Sequence, residues 1–122
     1  GKKKITFDEF DLLAIQQAKQ ILTENLANAP TIAQLGKQVF LNEQKLKAGF
    51  SMCFHMTIGC YLKECRMAKA AALLTATNLS VREIGQAVGY ASCASFIKTF
   101  RSHYQKTPQA FRLSHPGGSH EK

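Results

Sequence analysis

Two segments of the chain place amide or ammonium side chains beside apolar residues that recur at helical spacing. In the first segment, Gln44 and Lys47 lie off the apolar positions Leu46 and Phe50. In the second, Lys98 has the same relation to a pair of phenylalanines. An amide can pair with the edge of adenine, an ammonium can pair with guanine, and cations can neutralise phosphates. These residue types therefore suit recognition of a polyanion rather than bond cleavage.

The residues around Lys98 predict two short helices joined by a tight turn. Ser80 and Glu83 have capping-box spacing, which marks a helix start. Gly89 stands where a left-handed turn residue is wanted, and Ser92 can cap the next helix. The apolar positions of the two helices are Val81, Ile84, Gly85 and Val88, and then Phe96, Ile97 and Phe100. This order of elements is the helix-turn-helix plan, in which the second helix enters the DNA major groove.

The same plan occurs earlier in the chain, as an internal repeat. The stretch from Thr31 to Gly36 matches the stretch from Ser80 to Gly85 at an offset of 49 residues. After the turn the offset is 50, so that Asn42 matches Ser92 as a helix cap. Leu46, Phe50 and Thr57 then match Phe96, Phe100 and Thr107. A repeat of this length is stronger evidence than a single motif.

The remaining elements are helices that hold the two repeats. A first helix is predicted over residues 8–27, and the loop at Asn28–Pro30 ends it. Helices over residues 31–39 and 42–53 form the first repeat, and a short last helix over residues 107–112 has Pro108 in its first turn. The apolar face predicted for the first helix consists of Phe10, Leu13, Ala14, Ala18, Ile21, Leu22 and Leu26.

A long helix over residues 57–76 is predicted to connect the repeats. Twenty residues at about 1.5 Å each give a length of about 30 Å, close to the roughly 34 Å of one DNA turn. The spacing therefore predicts two reading helices about one turn apart on one face of DNA. The inward stripe predicted for this helix consists of Ile58, Leu62, Cys65, Ala68 or Ala72, and Leu73.

Composition limits the classes of protein that the chain can represent. Its 122 residues correspond to one domain by length, and 45% of them are apolar, which is enough for a core. Sixteen Lys and Arg against 8 Asp and Glu give a formal charge of +8, which favours an anionic partner. No apolar run approaches the roughly 20 residues of a membrane span, and no secretory signal is visible. The four cysteines are expected to be free thiols.

Together these residues resemble the DNA-binding domain of AraC/XylS-type transcription regulators. The resemblance covers about residues 7–112, and its second half is the more specific. The stretch from Leu41 to Phe50 also resembles siderophore-responsive regulators of that family. The matching residues are Leu35, Gly36, Leu46, Phe50, Tyr61, Leu62, Arg66, Ala70, Leu73, Leu74, Ile84, Gly85, Val88, Gly89, Tyr90, Phe96, Phe100, Thr107, Pro108, Phe111 and Arg112.

The resemblance implies positions for DNA contacts. The candidate base-contacting residues are Gln44, Lys47 and Ala48 in the first repeat and Cys93, Ala94, Ile97 and Lys98 in the second. The candidate phosphate-contacting residues are Lys37, Lys45, Arg101 and Lys106, with backbone N–H groups at the helix starts Thr31, Ser80 and Thr107. Three of the four base-facing residues of the second repeat hydrogen-bond poorly. We therefore expect the first repeat to carry more sequence information and the second more affinity.

Two departures from the family pattern match each other. Many members have glycine after each reading helix, where this chain has His55 and Gln105. A left-handed backbone at these sites would cost a non-glycine residue about 1 kcal/mol, so either the helix ends relax differently or the strain is tolerated. Ala48 also occupies a position that is frequently basic in the family. These differences bear on the details of docking to DNA and leave the predicted fold unchanged.

Other kinds of site are poorly supported. Cys60 and Cys65 have a spacing that zinc ligands can use, but five steps of about 100° around one helix would separate them. Cys53, His55 and Cys93 add no ligand pair, so we expect no metal and no cofactor. No nucleophile elbow, phosphate loop or carboxylate pair is present, so no enzyme is expected. A basic helical module that binds acidic proteins stays open as an alternative, whereas an RNA binder would need an aromatic platform.

The expected protein is an all-α domain of about seven helices that binds double-stranded DNA and regulates bacterial transcription. Residues 1–6 are interpreted as a basic linker or a cloning remnant, residues 7–112 as the DNA-binding domain, and residues 113–122 as a disordered tail. Within the domain we expect units over residues 7–56 and 77–112, joined by residues 57–76. The resemblance further implies a cytoplasmic protein that contacts RNA polymerase. It also implies a monomeric fragment separated from an N-terminal effector and dimerisation domain.

Overall fold

The computed structural model describes residues 6–115, which form seven α-helices and no β-strand. The predicted all-α class and order of elements are confirmed. The helices are α1 (Glu9–Glu24), α2 (Ile32–Val39), α3 (Glu43–Phe54), α4 (Ile58–Ala76), α5 (Val81–Ala87), α6 (Cys93–Tyr104) and α7 (Pro108–Ser114). The last helix therefore runs two residues beyond its predicted end, into the segment expected to be a tail. The expectations for residues 1–5 and 116–122 lie outside the described residues.

Polar caps fix where the helices begin. Each cap side chain accepts a hydrogen bond from the backbone N–H three residues later, a group that would otherwise lack a partner. Full capping boxes close α1 (Asp8 and Asp11), α2 (Thr31 and Gln34) and α5 (Ser80 and Glu83). All the caps that the sequence predicts for the two repeats are present: Thr31, Asn42, Ser80, Ser92 and Thr107.

The chain divides into two compact units, Gly1–Lys63 and Glu64–Lys122, with the boundary inside α4. In the first unit, α1 packs on α2 and α3, and the first turn of α4 closes the core through Ile58. The hydroxyls of Thr23 and Tyr61 hydrogen-bond at 2.7 Å and tie α1 to that turn. The buried core residues are Ala14, Ile15, Ala18, Leu22, Leu35, Val39, Leu46, Phe50 and Ile58.

The second unit repeats this arrangement, with the rest of α4 in the place of α1. Its buried core residues are Met67, Ala70, Leu74, Ile84, Val88, Phe96 and Phe100. The Arg112 guanidinium holds α7 to the end of α4. It donates to the carbonyls of Leu74, Thr77 and Leu79 at 3.0, 3.2 and 2.6 Å. Three carbonyls at a helix end thus share one cation, which also suits the negative end of the helix dipole.

The repeat extends further than the sequence alone indicated. Leu35 and Ile84 are equivalent buried positions of the two units, as are Phe50 and Phe100. Beyond the helix-turn-helix, Ile15, Ala18 and Leu22 of α1 correspond at an offset of 52 to Met67, Ala70 and Leu74 of α4. Each unit is therefore built from four helical segments, and α4 supplies the closing segment of one unit and the opening segment of the other.

The predicted apolar face of α1 is wrong in part. Phe10 and Leu13 were expected to point inward, yet they are 81% and 65% exposed, whereas Ile15 is fully buried. A side chain at Gly49 of α3 would collide with the side chains of Ile15 and Phe7. The close contact that Gly49 permits therefore selects the Ile15 side of α1. Ala14, Ala18 and Leu22 are buried as predicted.

The predicted stripe of α4 is also wrong in part, although Ile58 is buried and Leu73 packs against the second core as predicted. Ala68 and Ala72 are exposed, and Leu62 and Cys65 are only half-buried. The buried residues of the second half are Met67, Ala70 and Leu74. A single stripe cannot describe this helix, because its two ends pack into two different cores.

Candidate nucleic-acid interface

The outward face of α3 carries the hydrogen-bonding groups of the first unit. Gln44 and Lys47 are exposed and Ala48 is half-buried. They lie three or four residues apart, so the helix brings them to one side. Leu46 and Phe50 are buried on the opposite side. The structure therefore brings together all three predicted base-contacting residues of this unit.

The outward face of α6 is more apolar and more basic. Ala94, Lys98 and Arg101 are exposed, whereas Cys93 and Ile97 are half-buried. Ile97 packs against the core of the second unit, so only part of its side chain faces outward. Arg101, predicted to contact phosphate, lies seven residues after Ala94 and hence on the same side of the helix.

Close backbone contact sets the angle between α2 and α3. The Leu41 N–H donates to the Gly36 carbonyl at 2.9 Å. A Cβ on Gly36 would lie 2.6 Å from the Leu41 carbonyl oxygen, so only glycine fits here. Phe40 turns the chain in a left-handed conformation, with φ of 63°, and its side chain is 93% exposed.

The second unit makes the same turn with a different residue. The Tyr90 N–H donates to the Gly85 carbonyl at 2.9 Å, in the position of the Leu41 contact in the first unit. Here Gly89 supplies the positive φ, at 105°. Glycine adopts this conformation without steric cost. The predicted left-handed turn at Gly89 is confirmed.

Both reading helices end in left-handed residues that are not glycine. His55 has φ of 60° and Gln105 has φ of 61°, and each donates its N–H to the carbonyl four residues earlier. Of the two alternatives at these sites, the structure shows the left-handed backbone and not a differently relaxed helix end. The strain is accepted twice, at equivalent places of the repeat.

The three predicted helix starts are capped from within. The hydroxyls of Thr31, Ser80 and Thr107 accept from the N–H groups of Gln34, Glu83 and Ala110. An outside anion would therefore be held by the backbone N–H groups of the first two helical residues of α2 and α5, and not by the hydroxyls. In α7 the first residue is Pro108, which has no N–H, so the N–H of Gln109 is the one that remains. In α5, hydrogen bonds from the Ser80 backbone and side chain lower the pKa of Glu83.

The predicted phosphate-contacting cations differ in their surroundings. Lys37 and Arg101 are exposed. Lys106 donates to the Ser114 hydroxyl at 3.0 Å. Lys45 lies 2.7 Å from an Asp11 carboxylate oxygen, and its side chain is 30% exposed. Lys45 is thus the candidate whose charge already has a protein partner in the structure.

Ser51 completes the outward face of α3 and was absent from the predicted set. It is exposed and lies seven residues after Gln44, on the same side of the helix. It is also the equivalent of Arg101, fifty residues earlier. The offset between the repeats could have identified it.

Residues 6–115 show neither a metal-ion site nor a membrane-spanning helix. No group of three His, Cys, Asp or Glu side chains in this range is arranged to hold a metal ion. Among the helices described above, none has both the length and the apolar character needed to cross a bilayer.

This chain is similar to known helix-turn-helix proteins in both sequence and fold. A family model described as "Helix-turn-helix domain" matches residues 35–114. The Msm operon regulatory protein of Streptococcus mutans is 26% identical over 98 residues, which cover 80% of this chain and 35% of that protein. The first curated relatives are matched over only 27–35% of their length, so this chain spans about a third of such proteins or less.

Two solved structures share the fold. One is a transcriptional regulator with an AraC-type DNA-binding domain from Chromobacterium violaceum. It has a TM-score of 0.78 at 23% identity, over 88% of this chain and 96% of the other. The other is the DNA-binding domain of AdpA in complex with a target DNA. It also has a TM-score of 0.78, at 19% identity, over 83% of this chain and 91% of that one.

Proposed function

The chain belongs to the AraC/XylS family of helix-turn-helix DNA-binding transcription regulators, and we propose that it reads one duplex sequence through the outward faces of α3 and α6. The observation that carries the proposal is the matched position of these faces. Both lie opposite a buried pair of core residues, Leu46 with Phe50 and Phe96 with Phe100. The core thus fixes which side of each helix is free to enter a major groove.

Base recognition is assigned mainly to α3. Gln44 can pair with adenine and Lys47 with guanine, and Ser51 can pair with several bases. On α6, Ala94, Ile97 and the Cys93 thiol offer contacts to thymine methyl groups, and Lys98 offers an ammonium. We therefore propose that the first unit supplies more sequence selectivity and the second more affinity.

Phosphate contacts are assigned to exposed cations and helix starts. Lys37, Arg101 and Lys106 are the side chains proposed to neutralise phosphates. The backbone N–H groups after Thr31, Ser80 and Thr107 are proposed to donate to phosphate oxygens. Lys45 is left out of this set, because Asp11 holds its ammonium.

The family resemblance supports further proposals about the wider setting. We place the protein in the bacterial cytoplasm, where it would contact RNA polymerase when it activates transcription. We assign effector sensing and dimerisation to a separate domain of a longer regulator. On this assignment, residues 6–115 bind DNA as a monomer, with two contacted segments about one turn apart.

Selection of bound duplexes from a random pool, at two salt concentrations, tests the proposal. A domain that neutralises several phosphates loses affinity steeply as salt rises. In a plot of the logarithm of the binding constant against the logarithm of the salt concentration, the slope falls by about 0.9 for each phosphate neutralised. We expect enrichment of one asymmetric site together with that steep slope. Steep salt dependence without enrichment would contradict specific reading, and absence of duplex binding at low salt would contradict the whole proposal.

Paired variants then test the division of roles. Gln44→Ala should relax base preference at one position of the selected site by roughly 5- to 100-fold, as expected for one lost bidentate contact. Lys98→Ala should weaken binding, and it should relax base preference less than Gln44→Ala does. Affinities for single-base variants of the site measure both effects. A greater loss of base preference in Lys98→Ala than in Gln44→Ala would reverse the assignment.

A further inference from the structure

Lys45 lies on a flank of the reading helix α3 and not on its outward face. It follows Gln44 directly, so it is turned by about 100° from that residue around the helix axis. Its ammonium lies 2.7 Å from an Asp11 carboxylate oxygen and 5.9 Å from the centre of the Phe7 ring. The side chain is therefore directed at the segment that contains α1, away from the side proposed to meet DNA.

Asp11 is itself held in place, which makes the contact a rigid one. The oxygen that binds Lys45 also accepts the Asp8 N–H at 3.0 Å, as part of the α1 capping box. The Asp11 side chain is only 13% exposed. The hydrogen bond from Lys45 is the main cause that lowers the pKa of Asp11. Because the Asp11 carboxylate is held by the cap, the Lys45 ammonium can bind it at one position and from one direction.

Directional contacts between α1 and α3 matter because their interface is mostly apolar, with the Lys19 ammonium of α1 lying 4.5 Å from the centre of the Phe54 ring of α3. Leu46, Gly49 and Phe50 bury α3 against the core, and apolar packing resists rotation about the helix axis only through shape. A rotation of about 10° would move a side-chain tip about 6 Å from the axis by about 1 Å. Recognition geometry tolerates only about 0.5 Å. A small rotation of α3 would therefore misplace Gln44 and Lys47.

The second unit differs at the equivalent position. At the position equivalent to Lys45, α6 has Ser95, whose side chain carries no charge. In the second unit α6 contacts α4 at a different point, through His103 Nδ1, which lies 3.7 Å from a Glu64 carboxylate oxygen. Lys45 is adjacent to Gln44, so its contact with Asp11 acts on the part of α3 to which base recognition is assigned.

We infer that Asp11 and Lys45 are positioning residues, which set the rotation of α3 and thereby the selectivity of the first unit. The inference rests on the proposed function. Lys45 acts through α3 and leaves the phosphates to other cations. Lys45→Met and Asp11→Asn should therefore lower selectivity in the same way.

A double-mutant cycle on DNA binding tests this inference. The four proteins are the wild type, Asp11→Asn, Lys45→Met and the double variant. Asparagine at position 11 still offers an oxygen to the Asp8 N–H, so the cap of α1 is kept. For each protein, affinities for the selected site and for its single-base variants are measured across a range of salt concentrations.

We expect each single variant to lose about 3- to 10-fold in preference for the selected site, and the double variant to lose no more than either. In all three variants the dependence of the logarithm of affinity on the logarithm of salt concentration (the salt slope) should stay at the wild-type value. Lys37→Met is the matched control, because loss of an exposed phosphate-binding cation should reduce the slope by about 1 at unchanged base preference.

Two results would overturn the inference while leaving the proposed function intact. One is a reduced salt slope in Lys45→Met, which would make Lys45 a phosphate contact. The other is additive losses in the double variant, which would uncouple the two residues. If the wild type itself bound no preferred sequence, the proposed function would fail and the inference with it. Unfolding in urea checks that all variants are folded.

Discussion

Three residues of the described chain other than glycine adopt a left-handed backbone: Phe40, His55 and Gln105. Each ends a helix of a helix-turn-helix unit. The Cβ of such a residue crowds the following carbonyl oxygen, which costs about 1 kcal/mol. Two of these residues, His55 and Gln105, stand where the family pattern has glycine in many members.

His55→Gly should therefore stabilise the protein. We expect the free energy of unfolding to rise by roughly 0.5 kcal/mol, since relief of strain exceeds the added freedom of the unfolded chain. Gln17→Gly is the contrasting control, because Gln17 is exposed within α1 and glycine there should cost about 1 kcal/mol. Urea unfolding of both variants measures the changes, and a destabilised His55→Gly would show that the imidazole contributes more than the strain costs.

Some features of single residues could be predicted from the sequence and others could not. The caps of the two repeats and the left-handed turn at Gly89 were predicted because they depend on neighbours within a few residues. The environment of Lys45 was not, because its partner Asp11 comes from another helix. Nothing in the local spacing distinguishes Lys45, which meets a carboxylate, from Lys47, which is exposed.

At the scale of elements, the contact between α2 and its turn leaves no room for a side chain at Gly36. A Cβ on Gly36 would lie 2.6 Å from a backbone oxygen, which cannot move as a flexible side chain can. Gly59, in the first turn of α4, has no other atom within 4 Å of its Cβ position. The two glycines thus differ in surroundings although both lie in helices.

Gly36→Ala should lower the free energy of unfolding by about 1–3 kcal/mol, the usual cost of overpacking. Gly59→Ala should leave it unchanged or raise it by up to about 1 kcal/mol, through the better helix propensity of alanine. Thermal or urea unfolding compares the two. Equal effects would mean that the turn yields easily and that Gly36 is not required by the Leu41 contact.

The faces of α1 and α4 mark the limit of prediction for elements. In α1, apolar residues occupy more than one side, so helical periodicity permits two choices of buried face. The choice is made by Gly49 of α3, which accepts Ile15 at close range. In α4, the alanine-rich middle gives little contrast between faces, and its two ends serve different cores.

At the scale of the whole molecule, two carboxylates make the free energy of unfolding depend on pH in the acidic range. Asp11 and Glu83 both have a lowered pKa, Asp11 through Lys45 and Glu83 through Ser80. The unfolded chain therefore binds protons more readily than the folded one. Their contribution is present above the ordinary carboxyl pKa and is lost as pH falls through the folded pKa values.

Unfolding in urea between about pH 6 and pH 3 should show this loss. Glu83→Gln should weaken the pH dependence and keep the cap, since Gln34 fills the same place in the capping box of α2. Gln34→Glu is the reciprocal variant and should steepen the dependence. Identical profiles for the three proteins would show that capping-box carboxylates do not govern acid unfolding.

The double role of α4 limits how this chain can be recombined with its relatives. Ile58 belongs to one core, and Met67, Ala70 and Leu74 belong to the other. A chimera joined anywhere inside α4 would pack at least one core against helix residues that come from a different protein. Hybrids that exchange a single recognition unit should therefore carry residues 58–76 together with whichever unit is kept, and match the incoming unit to that helix. The outward faces of α3 and α6 can therefore diverge independently, in natural evolution or by design. A substitution in α4, by contrast, has to remain compatible with the core that its position enters and with the rest of a helix that both units share.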